Sequence, residues 1–249
     1  MPRNIQEAFD DPNWRLAVFD EMNALRKTGT WEIVDLPKDK KIVGCKWVFT
    51  VKCRADGSID RYKARLVAKG FTQTYGIDYE ETFAPVAKIN SIRVLLSLAV
   101  NLNWPLQQLD VKNAFLNGDL DEEVFMSLPP GFENKLGKGK VCRLRKSLYG
   151  LKQSPRAWFE RFGKAVKKFG YCQSQADHTL FYKHLIQGKI AILIVYVDDI
   201  ILTGSDSIEL GELKKRLADE FEIKDLGNLK YFLGMEFATP SRVPNFLYK

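Results

Sequence analysis

YVDDIILTG, residues 196–204, places two adjacent carboxylates, Asp198 and Asp199, inside an otherwise apolar run, IAILIVYVDDIIL. A hairpin tip can carry polar residues. The usual two-residue tip is Asn-Gly or Asp-Gly, however, and no glycine stands between Val197 and Ile200 to supply a positive φ. Two like charges at one tip repel, and partial burial adds to the cost unless a cation is present. A divalent-metal site accounts for the pair, and a solvated Asp-Asp turn remains the alternative on these two residues alone.

Working outward, a second strand, LQQLDV, opens after Pro105 and ends in Asp110, ahead of VKNAF. A carboxylate at a strand end beside a turn is where rigid scaffolds carry functional groups, although Asp also simply terminates strands. Before it, SIRVLLSLAVNL reads as a mostly buried helix with Asn90 as its cap. Further upstream, CKWVFTVKC alternates Cys45, Trp47, Phe49, Val51 and Cys53 against Lys46, Thr50 and Lys52. After the Asp56-Gly57 turn signal, RYKARLVAK sets Tyr62, Ala64, Leu66 and Ala68 opposite Lys63, Arg65 and Lys69. The two strands predict a hairpin with cations on one side, a solvated face or a phosphate-contacting one. Asp11 and Pro12 open the first helix and Gly29 follows its end. After Ser154-Pro155, Trp158, Phe159, Phe162, Val166 and Phe169 form a core stripe. The last helix lies within SIELGELKKRLADEF, and KYFLGMEF predicts a short strand pair.

With 249 residues, 45% hydrophobic and 28% charged, the chain can bury a sizeable core as one large domain or two intimate subdomains. No apolar run approaches the roughly 20 residues of a membrane span, and MPRNIQEAFDDPNW lacks a signal-peptide core. A soluble, intracellular protein is expected, with no membrane partner. Cys45, Cys53, Cys142 and Cys172 show no CxxC spacing, and His178 and His184 are the only histidines, so the cysteines read as reduced core or surface residues. The net charge of +7 is unevenly spread: residues 38–70 hold ten Lys/Arg against three Asp, and residues 135–168 hold twelve against Glu160 alone. Two such segments predict a polyanionic partner.

The order of parts, a basic hairpin, an Asp-bearing strand, a glycine-containing loop entering a helix and an Asp-Asp hairpin, resembles a reverse transcriptase palm with fingers. More narrowly, GCKWVFTVK, YKARLVAKGFTQ, TFAPVAK, LDVKNAFLNGDL, LYGLKQSPRAW and YVDDIILTG resemble the polymerase region of copia-type long-terminal-repeat retrotransposons. The resemblance runs from about Pro12 to Phe237. It implies an α+β right-hand polymerase, with an antiparallel palm sheet packed on helices. Fingers would lie mainly at 31–90 and the palm at 91–237, followed by a divergent tail at 238–249 and an absent or vestigial thumb.

The same resemblance implies RNA-directed DNA synthesis: a primer 3′ end extended from dNTPs along an RNA template, with two Mg²⁺ ions, or Mn²⁺ in their place. Asp110 and Asp198 would bridge both ions and Asp199 would engage less directly. Phe115 would sit beneath the incoming sugar, where its ring collides with a 2′-hydroxyl, and backbone amides near Asn113 and Ala114 would face the triphosphate. Tyr149, Gly150 and Gln153 would approach the new base pair and template. Lys63 and Arg65, with Lys52 or Lys69 as substitutes, would contact the triphosphate. Phe232, Leu233, Gly234 and Met235 would grip the primer. Ribonuclease H and integrase segments accompany the polymerase in that family and are missing from this sequence, which predicts a transposon fragment, in a cytoplasmic particle or the nucleus. Two alternatives stand beside this expectation: a catalytically silent remnant that binds nucleic acid through its basic segments, and another two-metal phosphotransferase such as a nucleotidyl cyclase. The cyclase would need neither LYGLKQSPR nor the basic hairpin.

Overall fold

The computed structural model describes residues 1–54, 56–137 and 139–232, and the backbone of 235–236. In chain order the elements are α1 (Ile5–Asp10), α2 (Pro12–Lys27), β1 (Trp31–Val34), β2 (Cys45–Cys53), β3 (Ile59–Ala68), α3 (Ile89–Asn101), β4 (Gln107–Val111), β5 (Phe125–Ser127), α4 (Glu133–Leu136), β6 (Val141–Leu144), α5 (Ser154–Lys168), β7 (Cys172–Gln173), β8 (Leu180–His184), β9 (Ile190–Tyr196), β10 (Asp199–Gly204), α6 (Ser207–Glu220), β11 (Ile223–Asn228), β12 (Tyr231–Phe232) and β13 (Met235–Glu236). All pairs between these strands are antiparallel, and the helices are interspersed among them, an α+β arrangement. The chain divides into two compact units, Met1–Ala84 with Asn113–Lys164, and Pro85–Lys112 with Ala165–Lys249.

In the first unit, α2 begins where the sequence signals it. The Asp11 carboxylate accepts from the Asn13 and Trp14 amides, Pro12 occupies the first turn, and Gly29 turns the chain out at φ 62. A short helix that the sequence reading missed, α1, precedes it, capped by the Asn4 side chain. The hairpin β2–β3 pairs Trp47 with Leu66 and Thr50 with Lys63. Its apolar face, Cys45, Trp47, Phe49 and Val51 with Tyr62, Ala64, Leu66 and Ala68, packs into a core shared with Trp14, Ala17, Val18, Met22 and Leu25 of α2. The Trp14 ring meets Phe49 and Tyr62 edge-on at 5.4 and 4.7 Å. A separate sheet, β1–β6–β5, completes the unit.

Ion pairs in this unit qualify the linear charge count. Five cations of the 135–168 segment meet acids outside it, Lys140 with Asp35, Arg143 with Glu123, Arg145 with Glu32, Lys146 with Asp119 and Arg156 with Glu122, and Arg156 also meets Glu160 one helical turn on. Exposed pairs among these add little stability, but together they offset five of the twelve cations counted over residues 135–168.

In the second unit the sheet order is β11–β4–β10–β9–β8–β7. Ile192, Ile194 and Ile201 on one face pack against Ile92, Leu95, Leu96 and Ala99 of α3, together with Leu229 and Phe232. Alternation sends Leu109, Leu193, Val195, Ile200 and Leu202 to the opposite face, and they are buried as well. A strand covered on both sides has no polar alternation, which accounts for the unbroken run IAILIV. Helix α3 starts at Ile89 rather than after Asn90. Lys88 precedes it without a side-chain cap, and its amide donates instead to the Asp177 carboxylate at 2.8 Å.

All four cysteines are free. Cys45 and Cys142 are buried, with burial pushing the Cys142 thiol up to about 12, and Cys53 and Cys172 are exposed. Among the described residues no helix is long and apolar enough to cross a membrane.

Candidate active site

The carboxylates gather in the second unit. Tyr196 pairs with Asp199, which makes Val197 and Asp198 a two-residue hairpin loop between β9 and β10. The sequence reading had counted against such a turn because no glycine was available. The structure forms it all the same, with the β-branched Val197 at φ 56, a conformation disfavoured for any residue with a Cβ. The Val111 amide donates to the Asp198 carbonyl at 2.7 Å and ties the loop to the end of β4.

In the next register position Asp199 lies directly opposite Asp110 of β4, and Asp110 lies opposite Lys224 of β11. Directly opposed residues share a face of the sheet, so a row Asp199–Asp110–Lys224 crosses three strands. The Gln108 side-chain amide donates to Asp199 Oδ1 at 2.9 Å. Burial raises the Asp199 carboxyl above its ordinary value. The Gln108 hydrogen bond opposes this, while the negative charges of Asp198 and Asp110 push in the same direction as burial. Three acids that repel one another on the edge of an apolar sheet favour a bound cation electrostatically.

No three His, Cys, Asp or Glu side chains among the described residues are grouped closely enough to hold an ion alone. The donor set nevertheless suits Mg²⁺, which binds through one or two carboxylates and takes its remaining oxygens from water and substrate phosphates. Gln108, Lys224 and Glu222, whose carboxylate meets Lys112 at 2.7 Å, are site neighbours that sequence reasoning missed. They become visible only through the β4–β11 and β4–β10 registers.

The first unit holds the other group of candidates. On the open face of β2–β3, Lys46 and Lys52 stand across from Val67 and Arg61, and Lys63 and Arg65 stand across from Thr50 and Val48. Burial lowers the Lys63 pKa most, and the charges of Arg65 and Arg61 lower it further. A half-buried cation among like charges is a natural anion site.

The outer edge of β3 is occupied at two points. The Leu66 amide donates to Glu21 Oε1 at 3.2 Å, and the Ala68 amide donates to the Tyr149 carbonyl at 2.8 Å. Tyr149 is therefore strung along the hairpin. The Arg65 guanidinium stacks 5.0 Å above its ring, and the Phe115 ring meets it edge-on at 5.0 Å. Gly150, at φ 92, passes so close to β3 that a Cβ would collide with the Ala68 carbonyl. The Gly150 carbonyl in turn leaves no room for a Cβ on Gly70. Only glycines allow these backbones to approach.

Phe115 sits half-buried in a short 3-10 turn, Ala114–Asn117, entered through Asn113 at φ 51, and its carbonyl accepts from the Ser147 hydroxyl. Ala114 is buried. Gln153 departs from expectation: it is 0% exposed, its amide donates to the Asp78 carbonyl, and its oxygen accepts from Gln73, both at 3.0 Å. Buried and engaged at both ends of its amide, it braces the 70–79 loop. Phe232, expected at a primer contact, is buried against Tyr196 at 6.3 Å between ring centroids. It pairs with Met235 across β12–β13, while Leu233 and Gly234 lie outside the described residues.

The chain is similar to proteins of known kind. The family described as reverse transcriptase (RNA-dependent DNA polymerase) matches residues 28–244. The retrovirus-related Pol polyprotein from transposon RE2 of Arabidopsis thaliana is 47% identical over 249 residues, covering 99% of this chain and 17% of its own length. The corresponding polyprotein from transposon TNT 1-94 of Nicotiana tabacum is 44% identical over 238 residues, covering 94% of this chain and 18% of its own. The Ty1-ER2 Gag-Pol polyprotein of Saccharomyces cerevisiae is 32% identical over 200 residues. The chain thus spans less than a fifth of the length of the plant relatives, which are Pol polyproteins of copia-type transposons. It belongs to the reverse transcriptase (RNA-dependent DNA polymerase) family.

Proposed function

We propose that this chain carries the polymerase centre of a copia-type reverse transcriptase: it extends a primer from dNTPs on an RNA template, with the second unit as palm and the β2–β3 hairpin as fingers. The observation that supports this most directly is the register that sets Asp199 opposite Asp110, with Asp198 in the adjoining turn. Asp110 and Asp198 would hold two Mg²⁺ or Mn²⁺ ions, with Asp199 at their margin. When bound, such ions lower the pKa of the attacking 3′-hydroxyl and neutralise the triphosphate and the departing pyrophosphate.

The chain's own residues orient and select. Lys63 and Arg65 take the triphosphate as charge partners, with Lys52 and Lys69 in reserve and the Asn113 and Ala114 amides as further donors. Phe115 excludes the 2′-hydroxyl, and Tyr149, fixed by Arg65 and by the Ala68 amide, closes the sugar side. Gly150 lets that loop lie against the hairpin, and Gln153 braces it from behind. Phe232 anchors the β12–β13 pair in the core, and Leu233, Gly234 and Met235 are primer contacts on the family resemblance alone.

Primer extension on an RNA template by the purified chain tests this reading. Extension that requires Mg²⁺ or Mn²⁺ and disappears in Asp110→Asn and Asp198→Asn is the expected result. Salt-dependent binding of primer-template without extension under any metal would support the silent nucleic-acid binder instead.

A further inference from the structure

Against the cationic hairpin lies a buried acid to which the proposed polymerase assigns no task. Glu21 projects from the middle of α2 and is 6% exposed, among the core that α2 shares with Ala64, Leu66 and Ala68. Its Oε1 accepts the Leu66 amide. β2–β3 is a two-stranded sheet, so β3 has one free edge, and amides on that edge need partners when buried. Leu66 and Ala68 point their N–H groups outward. One meets Glu21 and the other the Tyr149 carbonyl, and Arg65 lies immediately before the first.

A neutral acceptor would satisfy an edge amide, and burying a carboxylate instead is costly. An acid at this position is explained by what surrounds it, Lys63 and Arg65 on the same strand with Arg61 and Lys52 beside them.

We propose that Glu21 is a positioning residue for the anion-binding face of β3, holding the strand edge beside Arg65 through the Leu66 amide and setting a buried negative charge beside the cations of that face. This rests on the reading of Lys63 and Arg65 as triphosphate contacts. Burial is the largest cause lowering the Lys63 pKa, the charges of Arg65, Arg61 and Lys52 act in the same direction, and Glu21 is the group that opposes them. Glu21 is itself raised by burial, against which the Leu66 hydrogen bond and the charges of Arg65 and Lys63 act. Since Lys63 binds an anion only while protonated, removing the Glu21 charge moves the loss of binding to lower pH.

The test is binding of inorganic tripolyphosphate to the full chain between pH 6 and 10.5, followed by calorimetry, with melting temperatures recorded in parallel. Glu21→Gln retains an acceptor for Leu66. It is expected to melt near the parent, to bind several-fold more weakly, and to lose binding at lower pH than the parent does. Glu21→Asp retains the charge and is expected to hold the parent's alkaline limb. It also serves should Glu21→Gln fail to fold, and a downward shift in this variant would overturn the charge argument. Binding abolished by Lys63→Gln but unchanged in strength and pH profile by Glu21→Gln would overturn the role of Glu21 alone. Binding that Lys63→Gln leaves intact would overturn the triphosphate reading, and this proposal with it.

Discussion

Val197 offers a test of the hairpin that carries the carboxylates. Its φ of 56 lies where an L-residue costs about 1–2 kcal/mol through the clash of Cβ with the following carbonyl. Elsewhere, Gly in place of Ala costs roughly 0.5–1 kcal/mol because the unfolded chain gains freedom. At Val197 the strain is the larger effect, so the usual order inverts: Val197→Gly should be more stable than Val197→Ala by about 0.5–1 kcal/mol. Comparing the two variants with each other removes the shared loss of the Val side chain, which is 45% exposed and accounts for about 1 kcal/mol of burial. Calorimetry in EDTA, which keeps metal out of the comparison, should place the Gly variant roughly 1–4 °C above the Ala variant for a chain of this size. An Ala variant as stable as the Gly variant, or more so, would refute the left-handed turn and with it the alignment of Asp198 beside Asp110 and Asp199.

Phe115→Val should raise ribonucleotide relative to deoxynucleotide incorporation in primer extension; unchanged discrimination would return Phe115 to a packing role beside Tyr149. Millimolar Mg²⁺ should raise the parent's melting temperature, while Asp198→Asn should match or exceed the parent in EDTA and gain much less from Mg²⁺. Glu209→Ala, which strips the partner from Lys183 at 2.9 Å and from the buried Tyr171 hydroxyl at 3.2 Å, should cost about 2–4 kcal/mol in urea unfolding. Burial pushes the Asp177 carboxyl up, but hydrogen bonds from Thr179, the Lys88 amide and Ser91 outweigh it and leave the group below its ordinary value. The stability it contributes should therefore be fully present above about pH 4 and be lost as pH falls through the lower folded value, a loss absent from Asp177→Asn in acid titrations.

The sequence made the hairpin β2–β3 legible because one face is core and the other solvent, and strict alternation records that difference. α2 was legible from a local cap. The Val197 turn was hidden because its conformation is imposed by the pairing of β9 with β10 and the tie from Val111 to Asp198, against the local preference of valine. The basic count over 135–168 could not show that some of its cations have acid partners far off in sequence, such as Asp119, 27 residues from Lys146, and Glu32, 113 residues from Arg145, because those pairs exist only in the fold. The burial of Gln153 was hidden for a similar reason. Its amide is satisfied by Gln73 and Asp78, and a buried hydrogen-bond pair has no signature in a single chain.

β4 has a temporal consequence. Both of its edges are claimed by strands that come later in the chain, β10 and β11, and Gln108 is separated from Asp199 by 91 residues. At a translation rate of about 5–20 residues per second, QQLDV leaves the ribosome roughly 5–20 s before its first partner exists. Until then it is an unpaired strand with an apolar side, the kind of segment that invites intermolecular pairing. The proposed catalytic carboxylates are thus assembled by the chain's slowest class of contact, and the charge of Asp110, next to the end of the waiting strand, would oppose edge-to-edge pairing until β10 arrives.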